Sequence, residues 1–334
     1  MSRPDDQLRA LMQTYPDLGK DINRAYQEKG KRLPDWPDDV LLQHWAWMDI
    51  VHKYYPDYDL YDFDDHQKMI TLAMSMQAVG TWRYSRDIYC FESEVYEALL
   101  STELPNTIPL KVFRRLPSWS VYVSYPQQVA DGSYGFYANL DYELGTGAWE
   151  LLLTPDIGKG SISFPLELAE GISLKDAIYS KEHEEKLKDI GAPEGLAATA
   201  TTYIDAAVDL LKTPLSLLLY LCSEAPEIDS EREPSISPAR VQPKKVKSGI
   251  KLFAPSVTRT WDVGKKTGEL IRQAKEIGTV HGHKSPHIRR AHWHGYWTGS
   301  HKGERVFGYQ WLAPIIVNAE ELDKRREDQD GKTI

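Results

Sequence analysis

The fold is decided by the stretch Trp119-Ser120-Val121-Tyr122-Val123. In it the apolar side chains of Trp, Val and Val alternate with the hydroxyl-bearing side chains of Ser and Tyr. Alternation with a period of two is typical of a β-strand. Similar patterns follow at 134–142, 148–153 and 161–166, and glycine and proline residues separate them. Short strands in succession, with turn residues between them, predict an antiparallel meander.

Apolar residues at helical spacing lie on both sides of this meander. They predict helices at 5–15, 38–54, 65–79, 85–100, 174–187 and 196–221. We expect Thr213-Pro214 to kink or split the last of these, because proline removes a backbone donor. The rest of the chain predicts a strand near 250–257, a helix near 265–276 and a final β-hairpin, so the predicted class is α+β.

Changes in composition predict the domain organisation. We expect a helical region first, then an antiparallel sheet with helices packed against it. A proline-rich charged linker, a small basic α+β domain rich in His, Arg and Trp, and a charged tail follow. The corresponding ranges are 1–115, 116–235, 236–249, 250–320 and 321–334.

Several classes of protein are excluded by composition. No stretch of about 18 apolar residues occurs, so we expect no membrane-spanning helix and no membrane partner. The first residues lack the apolar core of a signal peptide. Cys90 and Cys222 are too few for a disulfide scaffold and are typical of a reducing compartment. We therefore expect a cytoplasmic protein.

Charge is distributed unevenly along the chain, whose net charge is −9. Residues 240–305 contain 15 Lys and Arg against 4 Asp and Glu, whereas the remainder contains 25 against 45. A basic segment on an acidic body is typical of a protein that meets phosphate groups. The alternative is that the basic segment docks on the acidic body of the same chain.

Six of the ten histidines lie between His281 and His301. On a strand, His292, His294 and Tyr296 share one face, and Trp293 and Trp297 share the other. Four interpretations of this segment remain open: a metal site, acid–base chemistry on RNA, RNA binding without chemistry, and structural packing of a strand pair.

The chemical interpretations depend on three histidines. A Zn²⁺ site would use His292 and His294 together with His287, although no nearby carboxylate or Cys provides a further ligand. In RNA cleavage, one of these histidines would act as acid or base while Arg289 or a neighbouring arginine stabilises developing charge.

Binding alone requires only cations and rings. Lys and Arg side chains neutralise phosphates, and aromatic or imidazole rings stack on unpaired bases. The candidate contacts to RNA or to the ribosome are Lys284, Arg289, Arg290, His292, His294, Tyr296 and Arg305.

Two other segments indicate contact surfaces less specifically. Residues 54–65 alternate tyrosines with aspartates, which predicts either a solvated loop or an acidic groove for a basic partner. The segment Lys244-Lys245-Val246-Lys247 is either a solvated linker patch or a region that attracts RNA.

Several blocks of the sequence resemble the second-described family of type V-A anti-CRISPR proteins. The most specific block is 286–297, which is rich in His, Arg and Trp, and it is accompanied by Gly80-Thr81-Trp82-Arg83, 116–123, Gly135-Phe136-Tyr137 and 219–228. The blocks keep their order from about residue 80 to residue 318. The resemblance implies a protein of a plasmid, phage or other mobile genetic element.

The resemblance also implies a mode of action. Proteins of this kind lower the synthesis of the Cpf-type RNA-guided effector nuclease by recognising its nascent N-terminal peptide, which causes translation-dependent loss of its mRNA. From the charge asymmetry we assign the peptide to the acidic body, with candidate contacts Trp82, Arg83, Tyr84 and Tyr122, and assign ribosome or mRNA contact to the basic segment.

Two alternatives to this function remain open. The first is an RNA-cleaving enzyme of toxin type that uses the C-terminal His and Arg residues, and the second is a direct stoichiometric inhibitor of the mature effector. We expect no cofactor and favour a protein that is not an enzyme. The sequence leaves the oligomeric state open.

Overall fold

Three of the four helices of the N-terminal part begin where a polar side chain accepts a hydrogen bond from a free backbone N–H group. The computed structural model shows α1 at Arg3–Thr14, α2 at Leu18–Glu28, α3 at His44–Tyr54 and α4 at Phe63–Trp82. Side-chain oxygens of Ser2, Gln43 and Asp62 cap α1, α3 and α4. The structure describes residues 2–59, 61–104, 110–129, 132–157, 163–169, 172, 176–177, 196–229, 241–247, 249–277, 287–289, 291–299, 305–313 and 315–317.

The predicted helices need three corrections. The helix predicted at 38–54 begins only at His44, and α2 has no counterpart in the prediction. The helix predicted at 85–100 is wrong in its first half, because it divides into strand β1 (Asp87–Phe91) and helix α5 (Ser93–Leu100). β1 pairs with two distant strands, and this pairing overrides the local helical spacing.

One mixed sheet of seven strands lies at the centre of the fold. The predicted meander is confirmed by β2 (Ser120–Ser124), β3 (Gly135–Tyr142), β4 (Trp149–Pro155) and β5 (Phe164–Glu167), which pair antiparallel in succession. β1 pairs in parallel with β2 and with β9 (Arg259–Val263), and β6 (Ile228–Asp229) pairs antiparallel with β9. The order is β5-β4-β3-β2-β1-β9-β6, and the predicted α+β class is confirmed.

Both faces of the sheet are buried, which makes the central strands more apolar than an open meander requires. On one face Tyr122 and Tyr137 pack with Trp82 of α4. On the other, Phe136 belongs to a larger core shared with helix α6 (Leu196–Leu221). Strands whose two faces are both covered carry apolar side chains on each.

The C-terminal part contains one long helix and several short strand pairs. α6 continues through Pro214, so of the two predicted outcomes the split is wrong and the kink stays a prediction. Burial of the neighbouring leucines offsets the lost hydrogen bond. Helix α7 (Lys265–Ile277) and the antiparallel pair β11 (His292–Thr298) and β12 (Val306–Leu312) confirm the predicted helix and final hairpin. β10 (His287–Arg289) pairs with β13 (Ile315–Val317).

The strand predicted near 250–257 is displaced. β7 (Lys244–Val246) and β8 (Gly249–Lys251) form a separate hairpin, and the following residues connect it to β9. The helix predicted at 174–187 lies outside the described residues except for 176–177. The division into domains stays a prediction, although β9 shares a sheet with strands of the two earlier regions. In the part of the chain that the structure describes, no helix is long and apolar enough to cross a membrane.

Candidate functional site

Five aromatic side chains share one face of the hairpin β11–β12, as the strand alternation predicts. Neighbouring rings meet edge to face: Trp297 and Phe307 at 4.9 Å between centroids, Phe307 and Tyr309 at 5.1 Å, and Tyr309 and Trp293 at 6.4 Å. Edge-to-face contacts of this kind stabilise beyond the area they bury. This aromatic ladder consists of Trp293, Trp297, Phe307, Tyr309 and Trp311.

The aromatic ladder is buried at one end and exposed at the other. The indole N–H of Trp311 donates to Thr102 Oγ1 at 3.4 Å, and its ring lies 5.6 Å from that of Tyr220 in α6. Trp311 is 7% exposed, whereas Trp297 is 55% exposed. The Arg305 guanidinium lies 5.8 Å from the Trp297 ring centroid. The outer end of the hairpin therefore presents an arginine beside an open indole, which we call the Trp–Arg tip.

The opposite face of the hairpin carries the predicted imidazoles. The rings of His294 and Tyr296 are stacked with centroids 5.9 Å apart, and His294 is exposed. The Tyr296 hydroxyl donates to the Glu224 carboxylate, and this hydrogen bond raises the pKa of Tyr296. Glu224 also packs against Gly308, where an added Cβ would force the end of the Glu224 side chain to move.

The predicted RNA contacts are only partly brought together. His292, His294 and Tyr296 share one face of β11, and Arg305 precedes β12 beside the other face. Lys284 and Arg290 lie outside the described residues, and the structure describes only the backbone of His287 and Arg289 in β10. Among the described side chains, no group of three His, Cys, Asp or Glu could hold a metal ion. The metal and acid–base interpretations stay predictions.

Part of the basic segment pairs with acids of the body. Arg259 forms ion pairs with the fully buried Asp87, at 2.9 Å from Nε to Oδ1. On α7, Arg272 pairs with Glu92, and Lys275 pairs with Glu94. The alternative that the basic segment docks on its own acidic body therefore holds for these residues, although Arg272 and Lys275 are still exposed to solvent.

Three of the four candidate peptide contacts are buried. Trp82 is 0% exposed and donates its indole N–H to the Asp87 carbonyl at 2.8 Å. Tyr84 and Tyr122 are also buried, and burial raises the pKa of each. This burial argues against direct contact with a peptide. Arg83 is half-buried and lines a surface pocket.

The acidic tyrosine-rich segment is a loop between α3 and α4. Tyr55 and Tyr58 stack with centroids 5.2 Å apart, and the Tyr55 hydroxyl lies 2.8 Å from that of Tyr15. Tyr54 donates to Asp21 at 2.9 Å. Tyr61 is 97% exposed and is held by its backbone N–H, which donates to Asp59 Oδ1. The loop thus combines an ordered base with an exposed aromatic tip among carboxylates.

Two residues that approach Tyr296, on the hairpin face with the histidines, are not indicated by any pattern in the sequence. Glu224 follows α6 and Arg115 ends a 3₁₀ turn at Leu110–Arg115, with 3.8 Å between Arg115 Nη2 and Glu224 Oε1. Both are distant in sequence from Tyr296. Only the tertiary fold brings them to the hairpin.

This combination of a buried mixed sheet and a hairpin with exposed aromatic and imidazole side chains defines an α+β protein, and comparisons with known proteins identify its family. The model of the AcrVA2-like family, the anti-CRISPR type V subtype A2 family, matches residues 89–319. The chain belongs to this family, which confirms the resemblance of the sequence blocks.

Two relatives extend the comparison beyond the family match. The chain is 27% identical over 282 residues to Protein FinQ of Escherichia coli, covering 73% of this chain and 76% of FinQ. The crystal structure of AcrVA2 superposes with a TM-score of 0.67 at 22% identity, covering 95% of this chain and 100% of AcrVA2. At that identity the superposition shows a shared fold.

Proposed function

We propose that this anti-CRISPR protein lowers the production of a type V-A effector nuclease by recognising its nascent N-terminal peptide and causing translation-dependent loss of its mRNA. Membership of the family supports the target system. The charge asymmetry and the two exposed aromatic surfaces support a division between peptide contact and RNA or ribosome contact.

The Trp–Arg tip is the feature that most directly supports contact with RNA or the ribosome. Trp297 is 55% exposed, so its indole ring is accessible to a partner. An unpaired base stacks on such a ring, and Arg305 beside it neutralises a phosphate. Stacking of one base contributes about 1–3 kcal/mol. The buried inner end of the aromatic ladder holds this tip in place.

Peptide contact is assigned to the acidic tyrosine-rich loop rather than to the buried residues 82, 84 and 122. Tyr61 offers a large rigid ring at low entropic cost, as tyrosines do in other peptide-binding loops. Asp57, Asp59 and Asp62 are exposed beside it and favour a basic or amide-rich segment. This assignment retains the acidic-groove interpretation of 54–65.

The mechanism is tested by moving the effector's first codons onto an unrelated reporter gene. With this protein expressed, reporter mRNA should fall several-fold when the effector codons are present and should not change when they are absent. Unchanged mRNA from the fused reporter would contradict the mechanism. Unchanged mRNA together with co-purification of the mature effector would support direct inhibition instead.

The role of the tip is tested by Trp297→Ala combined with Arg305→Ala. The double variant should fold and lose most of its effect on the fused reporter mRNA. Leu270→Ala is the matched control, because Leu270 is 64% exposed on α7 and lies outside the hairpin. Full loss of reporter mRNA with the double variant would exclude the tip from the mechanism.

A further inference from the structure

A basic pocket opens between α2 and the hairpin β7–β8, away from the Trp–Arg tip in the sequence. Its volume is about 640 Å³, within the range of ligand-binding clefts. Four cations line it, Lys20, Arg24, Arg83 and Lys251, and the described residues of its lining include no carboxylate. Lys20 pairs with Asp17 at 2.7 Å outside the lining. The other three cations, Arg24, Arg83 and Lys251, form no ion pair with a carboxylate of the described residues, so the pocket keeps a positive charge.

The hairpin extends this charge beyond the pocket. Lys244 and Lys251 are directly opposite each other in the β7–β8 register. Their ammonium groups lie 5.8 Å and 5.5 Å from the ring centroid of Phe253. Like charges opposite one another on a hairpin are destabilising. Within the described ranges neither lysine forms an ion pair, so an external anion would relieve the repulsion.

The ring between these lysines is open to solvent. Phe253 is 46% exposed, although the adjacent Leu252 is 2% exposed. An exposed ring flanked by cations is the arrangement that proteins use to stack a nucleobase while holding its phosphates. A peptide made of acidic residues alone would use the cations and would leave the ring without a partner.

Hydrogen bonds fix the two walls of the pocket. The Leu252 N–H donates to Asn23 Oδ1 at 2.8 Å, and Gln27 Nε2 donates to the Ile250 carbonyl at 2.7 Å. Arg83 lies 5.2 Å from the Tyr84 ring centroid. A Cβ on Gly19 would lie 3.1 Å from Arg83 Cζ, so the guanidinium packs closely on α2. Arg83 is thus held before any ligand arrives, which lowers the entropic cost of binding at this cation.

We propose that this pocket and the hairpin β7–β8 bind a segment of single-stranded RNA. Arg24, Arg83 and Lys251 contact successive phosphates, and one base stacks on Phe253. Lys245 lies on the face of β7 opposite Lys244, and Lys247 follows in the turn; both are exposed and add positive charge to the hairpin. The site is separate in sequence from the Trp–Arg tip, and it does not rest on the nascent-peptide mechanism.

Binding is measured with the full chain and a fluorescently labelled 12-nucleotide oligouridine, by anisotropy over a series of salt concentrations. The variant Arg24→Gln/Arg83→Gln/Lys251→Gln should bind at least about tenfold more weakly, and its salt slope should fall by roughly 2 for three lost phosphate contacts. Arg32→Gln is the matched control, because Arg32 is an exposed cation outside the pocket lining; it should bind as the unmodified protein does.

The aromatic contact has its own test. Phe253→Ala should weaken binding at least about fivefold without changing the salt slope, and Phe253→Trp should restore it. The thermal unfolding midpoint of every variant is measured alongside. Equal binding by the triple variant and the unmodified protein would overturn the proposal, as would loss of binding by Arg32→Gln to the same extent.

Competition distinguishes RNA from other anions. Oligouridine should compete far better than polyglutamate of equal charge or uridine monophosphate. Equal competition by polyglutamate would assign the pocket to acidic peptides and overturn the RNA proposal. If Trp297→Ala/Arg305→Ala alone abolishes binding, the pocket proposal fails while the proposed function stands. If the pocket variants lose RNA while the fused reporter never responds, the proposed function fails while the pocket proposal stands.

Discussion

Replacing Arg259 with methionine removes the guanidinium that holds the basic segment to the centre of the sheet. Arg259 Nε and Nη2 donate to the two oxygens of Asp87 at 2.9 Å and 3.2 Å. Asp87 is 0% exposed and also accepts the Trp261 indole N–H at 2.9 Å. Methionine keeps the aliphatic packing of the arginine side chain. Of the three side-chain hydrogen bonds to Asp87, only that from the Trp261 indole remains.

The magnitude follows from the burial of the carboxylate. Removing one partner of a buried ion pair costs about 3–5 kcal/mol. With an unfolding entropy of about 2.1 cal/mol/K per residue, a chain of 334 residues changes its midpoint by roughly 4–7 °C for that cost. Lys212→Met is the control, because the exposed pair of Lys212 with Asp209 contributes about 0.3–0.5 kcal/mol.

The pH dependence gives a second measurement of the same contact. The pKa of Asp87 is raised in the folded protein, because the effect of burial exceeds the lowering caused by the hydrogen bond from Trp261 and by the charge of Arg259. A carboxyl with a raised pKa in the folded state loses stability as pH rises above the unfolded value, about 3.9. Without Arg259 that pKa rises further, so the stability difference between Arg259→Met and the unmodified protein should grow from pH 4 upward. Equal melting shifts for Arg259→Met and Lys212→Met would refute the reasoning.

Three other changes give expected outcomes. Gly264→Ala should destabilise by about 1–3 kcal/mol, since Gly264 has a φ of +77° and its methyl would meet the buried Val95 side chain at 2.8 Å; a neutral change in the urea midpoint would contradict this. Arg3→Ala should cost roughly 1–3 kcal/mol at pH 7. Burial alone would raise the pKa of Asp156. The hydrogen bonds that Asp156 accepts, of which those from Arg3 have the largest effect, lower this pKa below its usual value. That stabilisation is present above pH about 4 and lost below it, so the cost of Arg3→Ala should shrink at pH 3; a constant cost would count against the contact. Burial raises the pKa of Asp141 to about 7, so the unmodified protein should lose stability between pH 4 and 7. Asp141→Asn should remove this loss of stability with rising pH. Identical dependence of stability on pH in the variant and the unmodified protein would disprove the role of Asp141.

The local periodicity of the chain predicts most of the meander but not the centre of the sheet. The alternation in 119–123 and 134–142 matches β2 and β3 within a residue or two. β1 is misread as helix because its partners are far away: Ile88 pairs with Tyr122 and with Thr260. No window of neighbouring residues contains that information.

The candidate site shows the same division between local and distant information. Alternation in β11 correctly predicts which face carries His292 and His294. The bond from Tyr296 to Glu224 joins residues 72 positions apart, so no local pattern indicates it. Trp82 looks like a contact residue in the sequence because it lies among polar neighbours, yet it packs under the sheet. Burial of a single aromatic depends on the whole fold.

A pair of recoded reporters separates recognition of the peptide from recognition of the message. One reporter carries synonymous codons for the effector's first residues, and the other carries the natural nucleotides shifted out of frame. We expect this protein to remove the synonymous message as fully as the natural one and to leave the frame-shifted message intact. Loss of the frame-shifted message, with survival of the synonymous one, would show that nucleotides are read instead and would contradict recognition through the nascent peptide.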